Sequence, residues 1–224
     1  MSYFISHEDG VYAFTKAGCV LLVILLVAII ILAAFLLDRK NTKYSIKQIV
    51  FTGVCLALAF ALSFVRVINM PLGGSVTLCS MFFVCLVGYF YGPKMGIVAG
   101  LAFGFLQLTQ DGGKYMLTPF QVGCDYIFAF MALGVAGFFY KKKNGLLIGY
   151  IVAALLRGVF HSIGGYLYWM DGMPDSFPAN LKFLYPVAYN YAYILPELIV
   201  TVVIICIPAF RKAVDKVKNM ASDK

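Results

Sequence analysis

The sequence predicts an all-α polytopic membrane protein, and three observations carry that prediction. Of its 224 residues, 62% are hydrophobic and only 12% are charged, where a soluble domain carries about 25% charged residues. Apolar runs of roughly 20 residues recur along the whole chain, each able to cross about 30 Å of hydrocarbon as a helix. The ~10-residue alternating segments of a membrane barrel are absent. Lys and Arg, finally, gather in short segments between or after the apolar runs, in "DRKNTKYSIK" (38–47), "YKKKN" (140–144) and "RKAVDKVK" (211–218). That is the positive-inside pattern, so the net charge of +8 reports topology and not a nucleic-acid partner.

The first apolar run, 17–37, is too long for the core of a signal peptide, and no small-residue cleavage site follows it. Lys16 alone precedes it, whereas Arg39, Lys40, Lys43 and Lys47 follow. The bias predicts an anchor helix with residues 1–16 outside. Further runs fall at 46–66, 76–91, 94–109, 118–139, 146–170 and 186–210, making seven helices. The basic tail 211–224 then lies in the cytoplasm. The loops 67–75, 110–117 and 171–185 fall outside; they hold only Lys114 and Lys182, with Arg66 at the edge of the first.

Six cysteines are scattered through the chain without a CxxC pair or a Cys/His ligand spacing. Neither a disulfide framework nor a metal site is expected, and the thiols read as small packing residues. Two rows of small residues spaced by four let helices approach closely. Gly96, Gly100 and Gly104 read as packing within the bundle. Gly53, Ala57 and Ala61, on an early helix, are open to contact with another subunit.

Polar residues inside the apolar runs are expensive in hydrocarbon and face protein or a water-filled cavity. They are unevenly distributed. In "LLRGVFHSIGGYLYW" (155–169) Trp169 stands about 12 Å above His161 at 1.5 Å per residue. On the preceding helix Gln121 and Asp125 share a face one turn apart. Tyr185 lies at the mouth of the last helix with Asn190 about a turn inside, and Tyr115 sits in the loop before the fifth run. A carboxylate, an imidazole, an amide and several aromatic faces thus converge in the outer half of the membrane. Aromatic rings suit a planar or cationic ligand, and a lone carboxylate suits a positive one. Taken singly, Trp169 reads equally as an interface anchor and His161 as a helix-to-helix hydrogen bond. Arg157 and Glu197 lie deeper, near mid-bilayer. A structural ion pair between them is expected in preference to a proton relay.

The chain lacks a phosphate loop: "DGGKY" (111–115) has neither the upstream glycine nor the following hydroxyl. It also lacks a nucleophile–base constellation. No catalytic residue, cofactor or metal is expected, and the chain cannot hydrolyse ATP by itself.

The segments "PLGGSVTL" (71–78), "YGPKMGIVAGLAFG" (91–104), "QVGCDYIFAFMALGVAG" (121–137), "FHSIGGYLYW" (160–169) and "YPVAYNYAYILPE" (185–197) carry a resemblance. From about Lys43 to Phe210 the chain resembles the ThiT (YuaJ-like) family of thiamine-binding S-components of energy-coupling factor (ECF) vitamin importers. The resemblance implies a six-helix substrate-binding bundle over 43–210, preceded here by one extra transmembrane helix at 17–37. It implies thiamine bound in an outward-facing pocket, with Asp125, Tyr126, His161, Trp169, Tyr185, Asn190, Tyr115 and Gln121 at matching positions. It also implies a bacterial cell membrane, a transmembrane coupling protein and two cytoplasmic ATPase subunits as partners, and the Gly53, Ala57, Ala61 row as the coupling surface. Thiamine has a permanently cationic thiazolium and a flat aminopyrimidine. Asp125 would compensate the charge or accept from the amino group, Trp169 and His161 would stack, and Tyr185 and Asn190 would bond the pyrimidine edge. The resemblance implies an acidic residue at this position, filled by Glu in one member of the family and by Asp125 here, and the extra helix has no counterpart in the six-helix core. Two readings compete with the importer subunit. One is a stand-alone proton-coupled carrier using Glu197 or Asp125. The other is an intramembrane enzyme or structural membrane protein.

Overall fold

A computed structural model describes residues 3–8, 11–37 and 44–221. Arg39, Lys40 and Lys43, expected to help orient the first helix, and the last three residues of the basic tail lie outside the described residues. The chain opens on an antiparallel pair, β1 (Ile5–Glu8) and β2 (Val11–Phe14), followed by α1 (Lys16–Leu37) and α2 (Ile46–Ser63). A second pair, β3 (Arg66–Asn69) and β4 (Ser75–Thr77), leads into α3 (Ser80–Tyr91) and α4 (Pro93–Gln110).

A compound helix then runs through Pro119–Phe139. Its parts are α5 (Pro119–Val122), a π-helical turn (Gly123–Phe128), α6 (Ala129–Met131) and a 3₁₀ stretch (Ala132–Phe139). The chain closes with α7 (Gly145–Tyr168), α8 (Tyr185–Cys206) and α9 (Pro208–Ala221). Among the described residues it is an all-α membrane bundle with two short antiparallel strand pairs.

Among the described residues five helical stretches are long and apolar enough to cross a membrane: α1, α2, the compound helix, α7 and α8 with the 3₁₀ turn before it. α3 is shorter than the predicted run 76–91. At 12 residues and 1.5 Å per residue it reaches about 18 Å, well short of the hydrocarbon thickness. The outer part of its span is taken by the β3–β4 hairpin, where the sequence predicted only a loop. Non-helical backbone is tolerated at membrane depth where it is buried in protein or lines a cavity, and this hairpin lines one.

The predicted last run, 186–210, is broken near its C-terminal end. Pro208 has no N–H to continue the ladder and pushes the residue before it out of helical geometry. Ile207 accordingly adopts φ −67°, ψ 122°. The expected basic tail is a separate amphipathic helix, α9, that buries Val214 and Ala221 against the bundle.

Local signals start the helices. Ser45 and Gln48 form a reciprocal capping box at α2, satisfying two amide donors. Gly92 (φ 92°) ends α3 and begins α4, with Pro93 at the first helical position. The Gly96, Gly100, Gly104 row packs within the bundle, as predicted, because it brings α4 into backbone contact with the compound helix. A Cβ on Gly100 would lie 3.0 Å from the Met131 Cα and still closer to the Phe130 carbonyl oxygen.

α1 lies on the other face of that compound helix. Its Val23, Ile30 and Ala34 join Ile97, Cys124, Ala129, Ala132, Val135 and Phe160 in a buried cluster. Its remaining face, including Ile24, Ile29, Leu32 and Phe35, is exposed, as lipid contact requires. Gly53, Ala57 and Ala61 on α2 are exposed as well, and nothing lies within 4 Å of a Cβ built on Gly53.

The two glycines therefore separate by experiment. Gly100→Ala is expected to lower the unfolding temperature of the detergent-solubilised protein, since overpacking costs about 1–3 kcal/mol. Gly53→Ala is expected to leave it unchanged or raise it, by up to about 1 kcal/mol for the helix propensity gained. Equal effects would mean that the α4 row is not a packing surface.

Candidate functional site

α4 ends, the compound helix begins, α7 ends and α8 begins at one end of the bundle, and a cavity opens between them under the β3–β4 hairpin. Each wall is built by a local feature of the chain. Thr118 caps the compound helix by accepting from the Gln121 amide at 3.2 Å. The π turn that follows carries Asp125 and Tyr126; such turns re-aim side chains inside otherwise regular helices.

Asp125 is held by neutral donors. Its Oδ2 accepts from Gln121 Nε2 at 2.5 Å and from the indole N–H of Trp169 at 3.2 Å. Its Oδ1 lies 3.5 Å from His161 Nδ1. Gln121 is fully buried and is itself oriented, because its Oε1 accepts the Leu117 amide at 3.0 Å. The carboxylate rests against α7 at Gly164, where an added Cβ would come within 2.7 Å of Oδ1.

His161 and Arg157 stand one turn apart on α7. The imidazole packs edge-on to Phe130 and Tyr193, with centroids 6.4 and 6.1 Å away. The Arg157 guanidinium lies 4.7 Å from the Phe130 ring centroid. Two buried nitrogens, His161 Nε2 and Arg157 Nε, have no partner among the described residues. Buried polar atoms are rarely left unpaired without a reason, and both residues line the cavity. These are donor or acceptor positions available to a ligand.

α8 contributes a tyrosine ladder at i, i+4, i+8. The Tyr185 hydroxyl donates to the Gly172 carbonyl at 2.8 Å. The Tyr189 hydroxyl donates to the Pro71 carbonyl and accepts from the Gly74 amide, so it ties the hairpin tip to α8. The Tyr193 hydroxyl donates to Asn190 Oδ1 at 2.6 Å. Asn190 Nδ2 donates to the carbonyls of Pro186 and His161. Tyr115 stands edge-on to Trp169 at 6.3 Å.

Seven of the eight predicted pocket positions, Asp125, Tyr126, His161, Trp169, Tyr185, Asn190 and Tyr115, line this one cavity, and Gln121 stands behind Asp125. The indole N–H of Trp169 points inward to a carboxylate, which a simple interface anchor would not require.

The expected Arg157–Glu197 ion pair does not form. The Glu197 carboxylate accepts from Thr77 Oγ1 at 2.6 Å, Ser80 Oγ at 3.3 Å and the Met81 amide at 3.1 Å. The last of these is a free N–H of the first turn of α3, where a negative charge is stabilised by the helix dipole. Arg157 instead uses an aromatic face and lines the cavity.

Several lining residues were not anticipated. Asp111, at the end of α4, pairs with Arg66 on β3 at 3.3 Å and accepts from the Tyr126 hydroxyl at 2.8 Å. Arg66 had read as a helix edge, and only the hairpin brings it to Asp111. Tyr189 and Tyr193 carried a legible signal, their spacing of four from Tyr185.

Comparison with known proteins adds the following. The profile of a family described as "Thiamine transporter protein (Thia_YuaJ)" matches residues 49–216. Thiamine transporter ThiT of Bacillus subtilis (strain 168) is 29% identical over 182 residues, covering 75% of this chain and 92% of that protein. The solved structure of ThiT from Listeria monocytogenes superposes with a TM-score of 0.57 at 22% identity, covering 73% of this chain and 96% of that one. α1 precedes the segment matched by the family profile.

The Glu197 clasp is testable by stability alone. Glu197→Ala strands two hydroxyls and an amide, and is expected to cost about 3 kcal/mol in thermal or chemical unfolding. Glu197→Gln keeps the shape and an acceptor and should lose less. An unchanged Glu197→Ala protein would show that the hairpin is secured elsewhere.

Proposed function

Since the chain belongs to the thiamine transporter (Thia_YuaJ) family, we propose that it binds thiamine in the cavity around Asp125 and presents it to an ATP-driven ECF importer as the substrate-binding subunit. One observation carries the site: a carboxylate held only by neutral donors and an imidazole, beside two unpaired buried nitrogens and several aromatic faces. Asp125 can take a cationic thiazolium or accept from an amino group. Trp169 and His161 offer ring faces, where cation–π contact contributes up to about 2 kcal/mol in a desolvated site. Asn190 has its N–H groups and one lone pair engaged, so the Tyr185 hydroxyl is the freer acceptor for the pyrimidine edge. Tyr126 and Gln121 position the site, Tyr126 through Asp111 and Gln121 through Asp125. Tyr115 closes it beside Trp169.

The free space in the cavity is about 120 Å³, below the ~300 Å³ typical of small-molecule pockets. Ligand entry therefore requires a shift of the hairpin or of Trp169, whose bond to Asp125 a cationic ligand would exchange for its own.

The basic segments at 140–144 and 211–218 lie at the far end of the bundle from this cavity. Placing them in the cytoplasm by the positive-inside rule opens the cavity outward, with the N-terminus outside and the C-terminus inside the bacterial cell membrane. The chain has no ATPase motif of its own, so the energy comes from a coupling membrane protein with two cytoplasmic ATPase subunits. The exposed Gly53, Ala57, Ala61 row, left clear by α1, is the surface proposed for that contact. A proton-coupled carrier is less well supported, because Glu197 is consumed by three donors of the hairpin and α3.

Trp169 is the single tryptophan of the chain and a direct reporter. Titrating thiamine into the purified protein should quench its fluorescence saturably, and Asp125→Asn should weaken binding at least tenfold. No quenching, with no heat of binding, would move the substrate elsewhere. Ala57→Leu should abolish thiamine uptake in cells that contain the coupling machinery while leaving thiamine binding intact; lost binding would instead assign the row to folding.

A further inference from the structure

At the end of the bundle opposite the cavity, α7 begins, α8 ends and α9 turns away beneath them. A crevice of about 270 Å³ lies there, lined by Leu146, Leu147, Ile205 and Val214 on its apolar side and by Tyr89, Asn144, Arg211 and Asp215 on its polar side. Its apolar lining comes from the first turn of α7, the last turn of α8 and, through Val214, α9. Farther along, α7 exposes Ile148 and Val152 and α8 exposes Val203.

The charge around it has one dominant sign. α9 carries Arg211, Lys212, Lys216 and Lys218 against a single Asp215, and the neighbouring loop carries Lys141, Lys142 and Lys143. α9 is held rigidly in place: Val214 and Ala221 are buried, and the Tyr91 hydroxyl donates to the Ala221 carbonyl at 3.2 Å. Lys218 Nζ lies 4.1 Å from the Tyr89 ring centroid. Arg211 is the pivot. Its Nε donates to the Ile205 carbonyl at 2.8 Å, satisfying one of the orphan acceptors at the end of α8, and Nη2 reaches Cys206 Sγ at 3.7 Å. That anchorage leaves Nη1 without a protein partner among the described residues while the side chain lines the crevice.

We propose that this crevice is a binding site for an anionic phospholipid with a hydroxylated headgroup, phosphatidylglycerol in the simplest case. The phosphodiester sits at Arg211 within the basic field of α9 and the 140–144 loop, and the acyl chains run onto the exposed faces of α7 and α8. Basic clusters on an amphipathic helix immediately beyond a membrane span attract anionic headgroups, at about 1 kcal/mol per Lys or Arg near the surface. Asp215 and the Asn144 amide oxygen accept from the glycerol hydroxyls. The proposal is independent of what the cavity at the other end binds.

The test uses the full chain in nanodiscs of phosphatidylcholine mixed with phosphatidylglycerol or with phosphatidylserine. Lipid retained on the detergent-extracted protein is measured by native mass spectrometry. Wild type should retain phosphatidylglycerol over phosphatidylcholine, and Arg211→Gln should reduce that retention about fivefold, the factor corresponding to one charge near the surface. Asp215→Asn keeps an acceptor for the glycerol hydroxyls and removes the partner of a serine ammonium, so it should lower the retention of phosphatidylserine more than that of phosphatidylglycerol. Lys212→Gln, on the exposed side of α9, serves as a variant that does not disturb the α8 end and should show a smaller loss, with an unfolding temperature equal to wild type. Equal retention of phosphatidylglycerol and phosphatidylcholine by wild type would overturn the site. So would retention unchanged in Arg211→Gln, or a face that captures the coupling subunit while showing no lipid preference.

Discussion

The Glu197 carboxylate holds together two parts of the chain that a bilayer would otherwise keep apart. The first turn of a helix leaves free amides, and a short hairpin has to be fastened to the bundle if it is to wall a cavity. Glu197 meets both needs. Thr77 at the end of β4, Ser80 at the start of α3 and the Met81 amide all donate to Glu197. With this end of the hairpin secured, Tyr189 fastens the tip and Asp111 the opening strand through Arg66. The cavity exists because the hairpin stands off the helices on these three supports.

The opposite wall depends on backbone contact instead. Gly100 and Gly104 let α4 press against the carbonyls of Phe130 and Tyr126, which seats the π turn and presents Asp125 and Tyr126 to the cavity. α1 covers the reverse side of the same helix, through Val23, Ile30 and Ala34. An added helix is thus accommodated on a face that leaves both the cavity and the small-residue row of α2 clear.

Two carboxylates line the cavity and are treated differently. Asp111 has a guanidinium and a phenol, so its charge is spent on the protein. Asp125 has an amide, an indole and an imidazole, so its charge is oriented but uncompensated by a fixed cation. Arg157, whose Nε has no partner among the described residues, lines the same cavity, so the walls offer both an acceptor and a donor.

How much of this was legible in the sequence follows from the range of each interaction. Hydropathy is a sum over neighbours in the chain, so the bundle, its helices and the extra α1 could be read directly, as could the face shared by Gln121 and Asp125 at i, i+4. The glycine row on α4 announced its own packing. The pocket positions from Tyr115 to Asn190 were legible because helix ends at one side of a bundle must share a depth. What could not be read were contacts between elements that only the tertiary fold brings together. Arg157 and Glu197 are both deep and of opposite sign, and sequence reasoning paired them; tertiary packing placed an α3 N-terminus beside Glu197 and a Phe130 ring beside Arg157. The hairpin at 66–77 reads as a loop because its strands are too short to show a period. The break at Ile207 needed only Pro208, a local signal, yet the seating of α9 against the bundle needed the fold. Composition and periodicity determined that the chain spans a membrane and where its polar residues lie in depth. The tertiary structure decided which of them face each other, because the partner of a buried charge is chosen by geometry across helices and not by order along the chain.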